Sequence, residues 1–242
     1  MKIEKQKKIL LKKIEFQNKK FEIFLRGDAD ESVVAEIFKW REYKAAEEII
    51  EKSSLPILDV GAHIGIFSLY ARAINPTVKI YALEPEKENF GLLLKNIEAS
   101  GIKDLEPYRV ALSGKTAERN LVVESDSINH HLADENFGDP AETHYEKVSS
   151  ISLGDFLDKN NIARVGLLKM DIESGEYEVF ENMPEEVFGR IDSIILEYHN
   201  YGGRNYKELE NILRKNGFTV KRFPSGFEKD LGFLFARNKR HC

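Results

Sequence analysis

The chain has 242 residues, of which 42% are hydrophobic and 32% charged, and its formal net charge at pH 7 is −5. This length suits one α/β domain with at most a small appendage, and the acidic balance gives no general reason to expect a polyanionic partner. The single cysteine, Cys242, excludes an intrachain disulfide, and no apolar run approaches the roughly 18–20 residues that cross a bilayer. Lysines interrupt the apolar residues after the basic start, which does not match a signal peptide, so we expect a cytoplasmic protein without membrane insertion.

The first 52 residues are predicted to form an N-terminal hairpin and a helical cap. Apolar residues alternate on both sides of a polar turn within residues 13–25, which predicts the hairpin. Residues 28–52 carry apolar side chains on repeating helical faces. The segment is too short to bury a large core alone, so we expect it to cover a domain formed by residues 53–242.

Strands and helices alternate beyond residue 53. The predicted strands are residues 56–60, 78–83, 106–112, 165–170 and 191–197, followed by a closing pair at 218–223 and 231–236. This alternation predicts an α/β, Rossmann-like fold with a seven-stranded, mostly parallel sheet and an antiparallel edge strand. Residues 113–150 break the rhythm and are predicted to be irregular, with one extra strand at 120–123, as a mobile loop or a binding lid.

The loop after the first predicted strand indicates the cofactor. It reads Gly61-Ala-His-Ile-Gly65, so His63 stands where a dinucleotide-binding fingerprint has its second glycine. That fingerprint brings the backbone close to a pyrophosphate, whereas S-adenosylmethionine has no phosphate and needs only a loop that passes its methionine and ribose. The loop therefore favours S-adenosylmethionine, with another nucleotide on the same scaffold as the alternative.

Acidic residues complete the predicted cofactor site. Glu84, at the end of the second strand, is placed to accept hydrogen bonds from both ribose hydroxyls. Asp59, before the loop, is placed to meet the amino group of the methionine end through water or backbone. The predicted cofactor-binding residues are Asp59, Gly61, Ala62, His63, Gly65, Glu84, Pro85, Ala111, Leu112 and Asp171.

Four sequence blocks between residues 55 and 200 carry a family resemblance. They are Asp59-Val-Gly-Ala-His-Ile-Gly-Ile-Phe-Ser68, Glu84-Pro85 with Phe90 and Asn96, Leu168-Lys-Met-Asp-Ile-Glu-Ser-Gly-Glu176, and Glu197-Tyr-His199. Together they resemble the FkbM family of S-adenosylmethionine-dependent methyltransferases, and the third block is the most specific. The resemblance implies a class I methyltransferase fold and methyl transfer to hydroxyl oxygens of small-molecule or glycan acceptors. The chain departs from the family where His63 replaces a frequent Asn and Ser174 a frequent Gly.

Polar residues that follow the fourth and fifth strands are the predicted catalytic groups. Methyl transfer to an alcohol requires alignment of the acceptor and removal of its proton. We predict that His199 is the general base, because an unperturbed pKa near 6.5 suits this task. Asp171 would orient the acceptor and balance the sulfonium charge, and Glu173 would bind substrate hydroxyls. The structural alternatives are a satisfied strand-end histidine, a helix N-cap for Asp171 and a helix-dipole role for Glu173.

A divalent metal provides an alternative mechanism. Asp171, Glu197, His199 and Asn200 are the candidate ligands. We do not favour a metal, because a Glu197 that points into the sheet leaves too few oxygen ligands.

Two other functions stay open at this stage. The first is an RNA methyltransferase whose lysine-rich residues 1–20 contact phosphates. The net negative charge and the lack of a recognisable RNA module disfavour nucleic acid as a partner. The second is a non-catalytic cofactor-binding subunit. The oligomeric state does not follow from the sequence.

Overall fold

The computed structural model describes residues 8–124, 126–133, 144–200, 202–226 and 228–241. Its strands are β1 Leu10–Phe16, β2 Lys19–Leu25, β3 Ile57–Val60, β4 Ile80–Leu83, β5 Leu105–Tyr108, β6 Ala111–Leu112, β7 Ala117–Val122, β8 His131–Leu132, β9 Tyr145–Ile151, β10 Val165–Met170, β11 Ile191–His199, β12 Phe218–Pro224 and β13 Leu231–Asn238. Its helices are α1 Asp28–Val34, α2 Glu47–Lys52, α3 Ile66–Ile74, α4 Lys87–Ser100, α5 Leu153–Lys159, α6 Glu176–Asn182, α7 Glu185–Phe188 and α8 Tyr206–Lys215. Short π- or 3₁₀-helical turns cover Ala35–Trp40, Glu42–Ala46 and Lys239–His241. Within these ranges, no helix combines the length and apolar character needed to cross a membrane.

Seven strands form the central sheet in the order β12-β13-β11-β10-β3-β4-β5. Neighbouring strands are parallel except where β13 pairs with β11 and with β12. The predicted seven-stranded, mostly parallel sheet is thus confirmed, with its antiparallel pairings at one end. Strands β3, β4 and β5 follow one another toward one edge of the sheet, whereas β10 and β11 follow one another toward the other edge. The strand order therefore reverses between β3 and β10, and such a switch point leaves a crevice at the carboxyl ends of the strands.

Each central strand alternates its side chains between two buried layers. Helices α5 to α8 pack on one face, whereas the N-terminal segment and α2 to α4 pack on the other. On this second face, the residue two positions after apolar Leu167 on β10 is Lys169. In the same way, the residue two positions after apolar Ile195 on β11 is Glu197. A polar row therefore lies at the carboxyl ends of the strands, on the side that the N-terminal segment covers.

The N-terminal segment is fastened to the sheet through α4. Strands β1 and β2 form the predicted hairpin. The side chain of Asn96, fully buried on α4, accepts a hydrogen bond from the Phe24 backbone N–H at 2.7 Å and donates one to its carbonyl at 3.1 Å. The helical region 28–52 is divided at Arg41, whose left-handed backbone (φ 55°) turns the chain between two short helical stretches.

The predicted strand at 106–112 is divided between two sheets. Only β5 belongs to the central sheet, whereas β6 pairs with β9 in a second sheet of order β6-β9-β7-β8. The extra strand predicted at 120–123 is confirmed by β7, which begins three residues earlier. The prediction that the rest of 113–150 is irregular is wrong in part, since β8 and most of β9 lie within it; residues 134–143 lie outside the described residues. Strand β9 lacks a clear apolar alternation because buried Ser150 occupies an inward position, where its hydroxyl donates to the backbone carbonyls of Lys115 and Ala117.

Candidate functional site

A cavity of about 750 Å³ opens at the carboxyl ends of the central strands. Its walls come from the loop after β3, the ends of β4, β10 and β11, the helical residues 33–43 and the segment 127–132. Enzyme sites for small molecules typically enclose about 300–1,000 Å³, so one cavity of this size can hold a cofactor together with part of an acceptor.

Gly61 allows the loop after β3 to lie directly on the turn after β10. Its backbone is left-handed (φ 71°), and an added Cβ would stand 1.7 Å from the carbonyl oxygen of Asp171. His63 is also left-handed (φ 52°), a conformation that histidine tolerates better than most residues. The two turns therefore meet backbone to backbone at the floor of the cavity.

Glu84, at the end of β4, stabilises this loop through hydrogen bonds to its backbone. Its buried carboxylate accepts hydrogen bonds from the backbone N–H groups of His63 at 2.8 Å and Glu86 at 2.9 Å. Burial raises the pKa of Glu84, although these two amides favour the charged form. Each carboxylate oxygen keeps a further lone pair, so the group can also accept from a ribose.

The His63 side chain links the loop to the N-terminal segment. Its Nε2 lies 3.2 Å from Oδ1 of Asp30 and 3.3 Å from an Arg26 guanidinium nitrogen. Burial by itself would raise the pKa of Asp30, but His63 and Arg26 outweigh that effect and lower it. Sequence reasoning missed Arg26 and Asp30, since no local motif marks residues that reach the loop from so far along the chain.

Two predicted cofactor contacts, Asp59 and Gly65, do not line the cavity. Asp59 is fully buried, where it accepts a hydrogen bond from Ser68 Oγ at 2.7 Å and faces Lys169 Nζ at 3.4 Å. Gly65 precedes α3 with a left-handed backbone (φ 90°) and packs against Leu93. These residues support the loop from behind, and their contact with the cofactor stays a prediction.

Lys169 joins the loop to β10. Its ammonium donates to the Gly61 carbonyl at 2.8 Å and lies 3.8 Å from Oδ2 of Asp171. Burial alone would lower the pKa of Lys169, but the carboxylates of Asp59 and Asp171 more than compensate and raise it. A buried, charged lysine is thus held between two carboxylates at the edge of the cavity.

The turn after β10 directs two carboxylates into the cavity. Asp171 follows the strand, and Glu173 and Ser174 are both left-handed, with φ of 51° and 75°. Helix α6 begins only at Glu176, with Gly175 at the N-cap position. Asp171 is therefore not the N-cap, and Glu173 precedes the first helical turn, so the structural alternatives raised for these two residues are excluded.

His199 stands among carboxylates at the end of β11. Its Nε2 lies 3.5 Å from Glu173 Oε2, and its Nδ1 lies 3.7 Å from Oε1 of fully buried Glu176. Burial by itself would lower the pKa of His199, but Glu176, Glu173 and Asp171 raise it to about 10. This environment favours the protonated imidazolium, in contrast to the unperturbed pKa on which the prediction of a general base rests, and the catalytic role of His199 stays a prediction.

Within the Glu173–His199 pair, it is Glu173 whose pKa lies near neutrality. Burial raises the pKa of Glu173 to about 7, with further contributions from Asp171 and Glu176, while His199 opposes the shift. Within this pair, the group that gains or loses a proton near neutral pH is therefore the Glu173 carboxyl and not the His199 imidazole.

Glu197 lines the cavity instead of pointing into the sheet. It occupies the same face of β11 as His199, and burial together with the Asp171 carboxylate raises its pKa well above the usual range. The argument that Glu197 leaves too few oxygen ligands for a metal is therefore wrong.

Among the described residues, the ligand atoms of Asp171, Glu173 and His199 lie within 4.8 Å of one another, a set that could hold a metal ion. Asn200, also predicted as a ligand, instead accepts from the Tyr206 N–H at 2.8 Å.

The remaining predicted cofactor residues surround the inner part of the cavity. Ala62 and Pro85 flank Glu84, and Ala111 and Leu112 form the wall beyond β5. The cradle at Gly61, the acidic residue after β4 and small or apolar walls fit an adenosyl cofactor without phosphate. Fold and site together define a class I methyltransferase that uses S-adenosylmethionine.

Comparison with known proteins identifies the family. The Methyltransferase FkbM domain matches residues 59–220, and the chain belongs to this family. It is 27% identical over 180 residues to Methyltransferase 1 of Beauveria bassiana (strain ARSEF 2860), covering 68% of this chain and 72% of that protein. It is 28% identical over 194 residues to the 31-O-demethyl-FK506 methyltransferase FkbM of Streptomyces tacrolimicus, with the same coverages of 68% and 72%. Among solved structures, the METTL16 methyltransferase domain shares the fold with a TM-score of 0.53 at 14% identity, covering 83% of this chain and 67% of that one.

Proposed function

We propose that this enzyme transfers the methyl group of S-adenosylmethionine to a hydroxyl of a small molecule or glycan. The observation that carries the proposal is the Glu173–His199 pair, 3.5 Å apart in the cavity that the cofactor loop also lines. An alcohol is a poor nucleophile until its proton is removed, and a carboxylate with a pKa near neutrality is suited to remove it. The name of the Streptomyces tacrolimicus relative, a 31-O-demethyl-FK506 methyltransferase, also supports an oxygen acceptor.

The proposed mechanism assigns the proton to Glu173. When bound, S-adenosylmethionine supplies an activated methyl group on its sulfonium. Glu173 accepts the proton of the acceptor hydroxyl, and the His199 imidazolium stabilises the carboxylate form of Glu173 in the free enzyme. Asp171 orients the acceptor and contributes negative charge near the sulfonium, while Lys169 limits that charge through its ion pair. His199 thus passes from the predicted base to the partner of the base.

We also propose that the chain is divided into a cap and a methyltransferase domain. Residues 1–52 form a cap, and residues 53–242 form the methyltransferase domain. The support for this division is that the hairpin and helical turns cover the polar face of the sheet and add one wall to the cavity.

Cofactor recognition is tested by replacing Glu84 with alanine. We expect the affinity for S-adenosylhomocysteine, measured by calorimetry, to fall by about 10–100-fold, because the change removes a ribose acceptor and leaves the His63 and Glu86 amides unpaired. Glu98→Ala is the matched control, since Glu98 lies on the same helix α4, is exposed and does not line the cavity. Unchanged affinity in Glu84→Ala, or preferential binding of NAD by the wild type, would contradict the proposed cofactor site.

A metal-assisted mechanism is the second candidate, and the cluster of Asp171, Glu173 and His199 favours it. A hard cation at these groups would lower the pKa of a bound hydroxyl. Our proposal, in which His199 keeps its proton, predicts that enzyme freed of metal by EDTA retains its methyl-transfer rate. Loss of the rate on chelation and its return with Mg²⁺, but not with Na⁺ at equal ionic strength, would instead assign the three residues as ligands.

A further inference from the structure

Tyr43 lines the cavity from a segment outside the matched family domain. It lies on the short helical turn Glu42–Ala46, whereas the family match begins at residue 59. Its ring meets Phe67 of α3 edge-on, with 4.9 Å between the ring centroids, and Phe233 of β13 in the same way at 5.2 Å. The ring is therefore fixed between the helix that follows the cofactor loop and the strand that pairs with β11.

The hydroxyl of Tyr43 has no hydrogen-bond partner among the described residues, although only 3% of the residue is exposed. Its oxygen is not one of the unpartnered polar atoms that the protein encloses completely, so it is reached from the cavity. Buried polar groups are almost always hydrogen-bonded, because leaving one without a partner costs free energy. A partner supplied by a bound molecule is the simplest explanation of this hydroxyl.

The surroundings of Tyr43 indicate which part of the cofactor lies nearest. Lys169 Nζ is 6.0 Å from the centre of the Tyr43 ring, and the same ammonium binds the Gly61 carbonyl and lies beside Asp171. Tyr43 is thus on the β10 side of the cofactor loop, whereas Glu84 follows β4 on the other side of β3. A cofactor whose ribose is at Glu84 is expected to extend toward β10 with its methionine half, which contains the sulfonium.

Charge favours the sulfonium as the group that meets Tyr43. The carboxylate of the methionine half would be repelled by Asp171, whereas a positively charged sulfur is attracted to it. Burial and then the Asp171 carboxylate raise the pKa of Tyr43 well above its usual range, so the hydroxyl keeps its proton. The oxygen of a neutral phenol still has lone pairs. These can accept from the C–H groups of a methyl on positively charged sulfur, because the charge polarises them into weak donors.

We propose that Tyr43 is a cofactor-binding residue whose hydroxyl oxygen contacts the sulfonium methyl group, so that it distinguishes S-adenosylmethionine from S-adenosylhomocysteine. The product has lost both the methyl group and the positive charge, and the same oxygen then meets a neutral thioether. Tyr43 therefore favours the cofactor over its product and limits inhibition by that product. The inference goes beyond the proposed function, because it concerns the cofactor and holds for any acceptor.

The test is calorimetry with three ligands on the full-length protein. They are S-adenosylmethionine, S-adenosylhomocysteine and sinefungin, in which CH–NH₃⁺ replaces the S⁺–CH₃ group. We expect Tyr43→Phe to weaken S-adenosylmethionine about two- to fivefold and sinefungin about tenfold, because an ammonium is a stronger donor than a C–H group. S-adenosylhomocysteine is expected to bind within about twofold of its wild-type affinity. Phenylalanine keeps the ring contacts with Phe67 and Phe233.

Tyr81→Phe is the matched control. Tyr81 lies on β4, packs against the opposite layer of the sheet and does not line the cavity, so all three affinities are expected to match the wild type. Because the Tyr43 hydroxyl has no partner among the described residues, Tyr43→Phe is also expected to be as stable as the wild type in denaturant unfolding.

Each other outcome overturns the inference. Unchanged affinity of Tyr43→Phe for S-adenosylmethionine and sinefungin would show that the hydroxyl does not meet this group. Equal weakening of all three ligands would place the hydroxyl at a part that they share, such as the methionine ammonium. A loss of stability in Tyr43→Phe would assign the hydroxyl to the fold. Failure of the wild type to bind any of the three would contradict the cofactor itself, whereas binding that Tyr43→Phe leaves unchanged contradicts only the role of Tyr43.

Discussion

Replacement of Glu173 by glutamine is expected to lower kcat by about 10²–10⁴-fold while leaving the affinity for S-adenosylhomocysteine nearly unchanged. Glutamine keeps the size of the side chain but cannot accept the hydroxyl proton. A methyl-transfer assay with saturating cofactor measures the loss. The matched control is Glu186→Gln, an exposed carboxylate on α7 that makes the same change in net charge.

The pH profile shows which member of the pair is the base. With Glu173 as the base, kcat/KM rises with pH through about 7, where the carboxyl group loses its proton. His199→Gln removes the cation that favours the carboxylate, so this limb moves to higher pH in the variant. A wild-type limb near pH 10 that moves to lower pH in Glu173→Gln, because the lost carboxylate helps to raise the pKa of His199, would return the role of base to His199.

Replacement of Gly61 by alanine is expected to have the largest effect on structure. The new methyl group would lie 1.7 Å from the Asp171 carbonyl oxygen, and neither backbone can retreat without disturbing β3 or β10. Because the backbone is also left-handed there (φ 71°), we expect a loss of at least about 3 kcal/mol in the free energy of unfolding and of measurable cofactor binding.

Gly91→Ala is the matched control for that experiment. Gly91 lies within α4, and an added Cβ would meet no atom within 4 Å. Alanine is the better helix former by about 0.5–1 kcal/mol, so this variant should be as stable as the wild type or more so. Denaturant unfolding and calorimetry of both variants make the comparison. A Gly61→Ala protein with wild-type stability and affinity would show that the contact between the two turns is not a constraint.

The order of the main elements and the cofactor loop could be predicted from the sequence because their signals are local. Apolar runs, a glycine turn and an acidic residue after the next strand lie within about thirty residues, the span of one βαβ unit. Glu84 and the loop at Gly61 were identified in this way, and the structure places both at the cavity. Strand β9 was missed because its inward position is occupied by Ser150, whose hydrogen bonds replace an apolar side chain.

The sequence by itself determined the strand and helix pattern of the central sheet, the cofactor and the group of polar residues at the carboxyl ends of β10 and β11. Only the tertiary structure decided what those residues do electrostatically. His199 has a raised pKa because Glu173 and Glu176, from another element, surround its ring. The His63 side chain meets Asp30 because the N-terminal segment folds back over the loop. Burial and charge depend on neighbours that are distant in the chain, so no local pattern carries them.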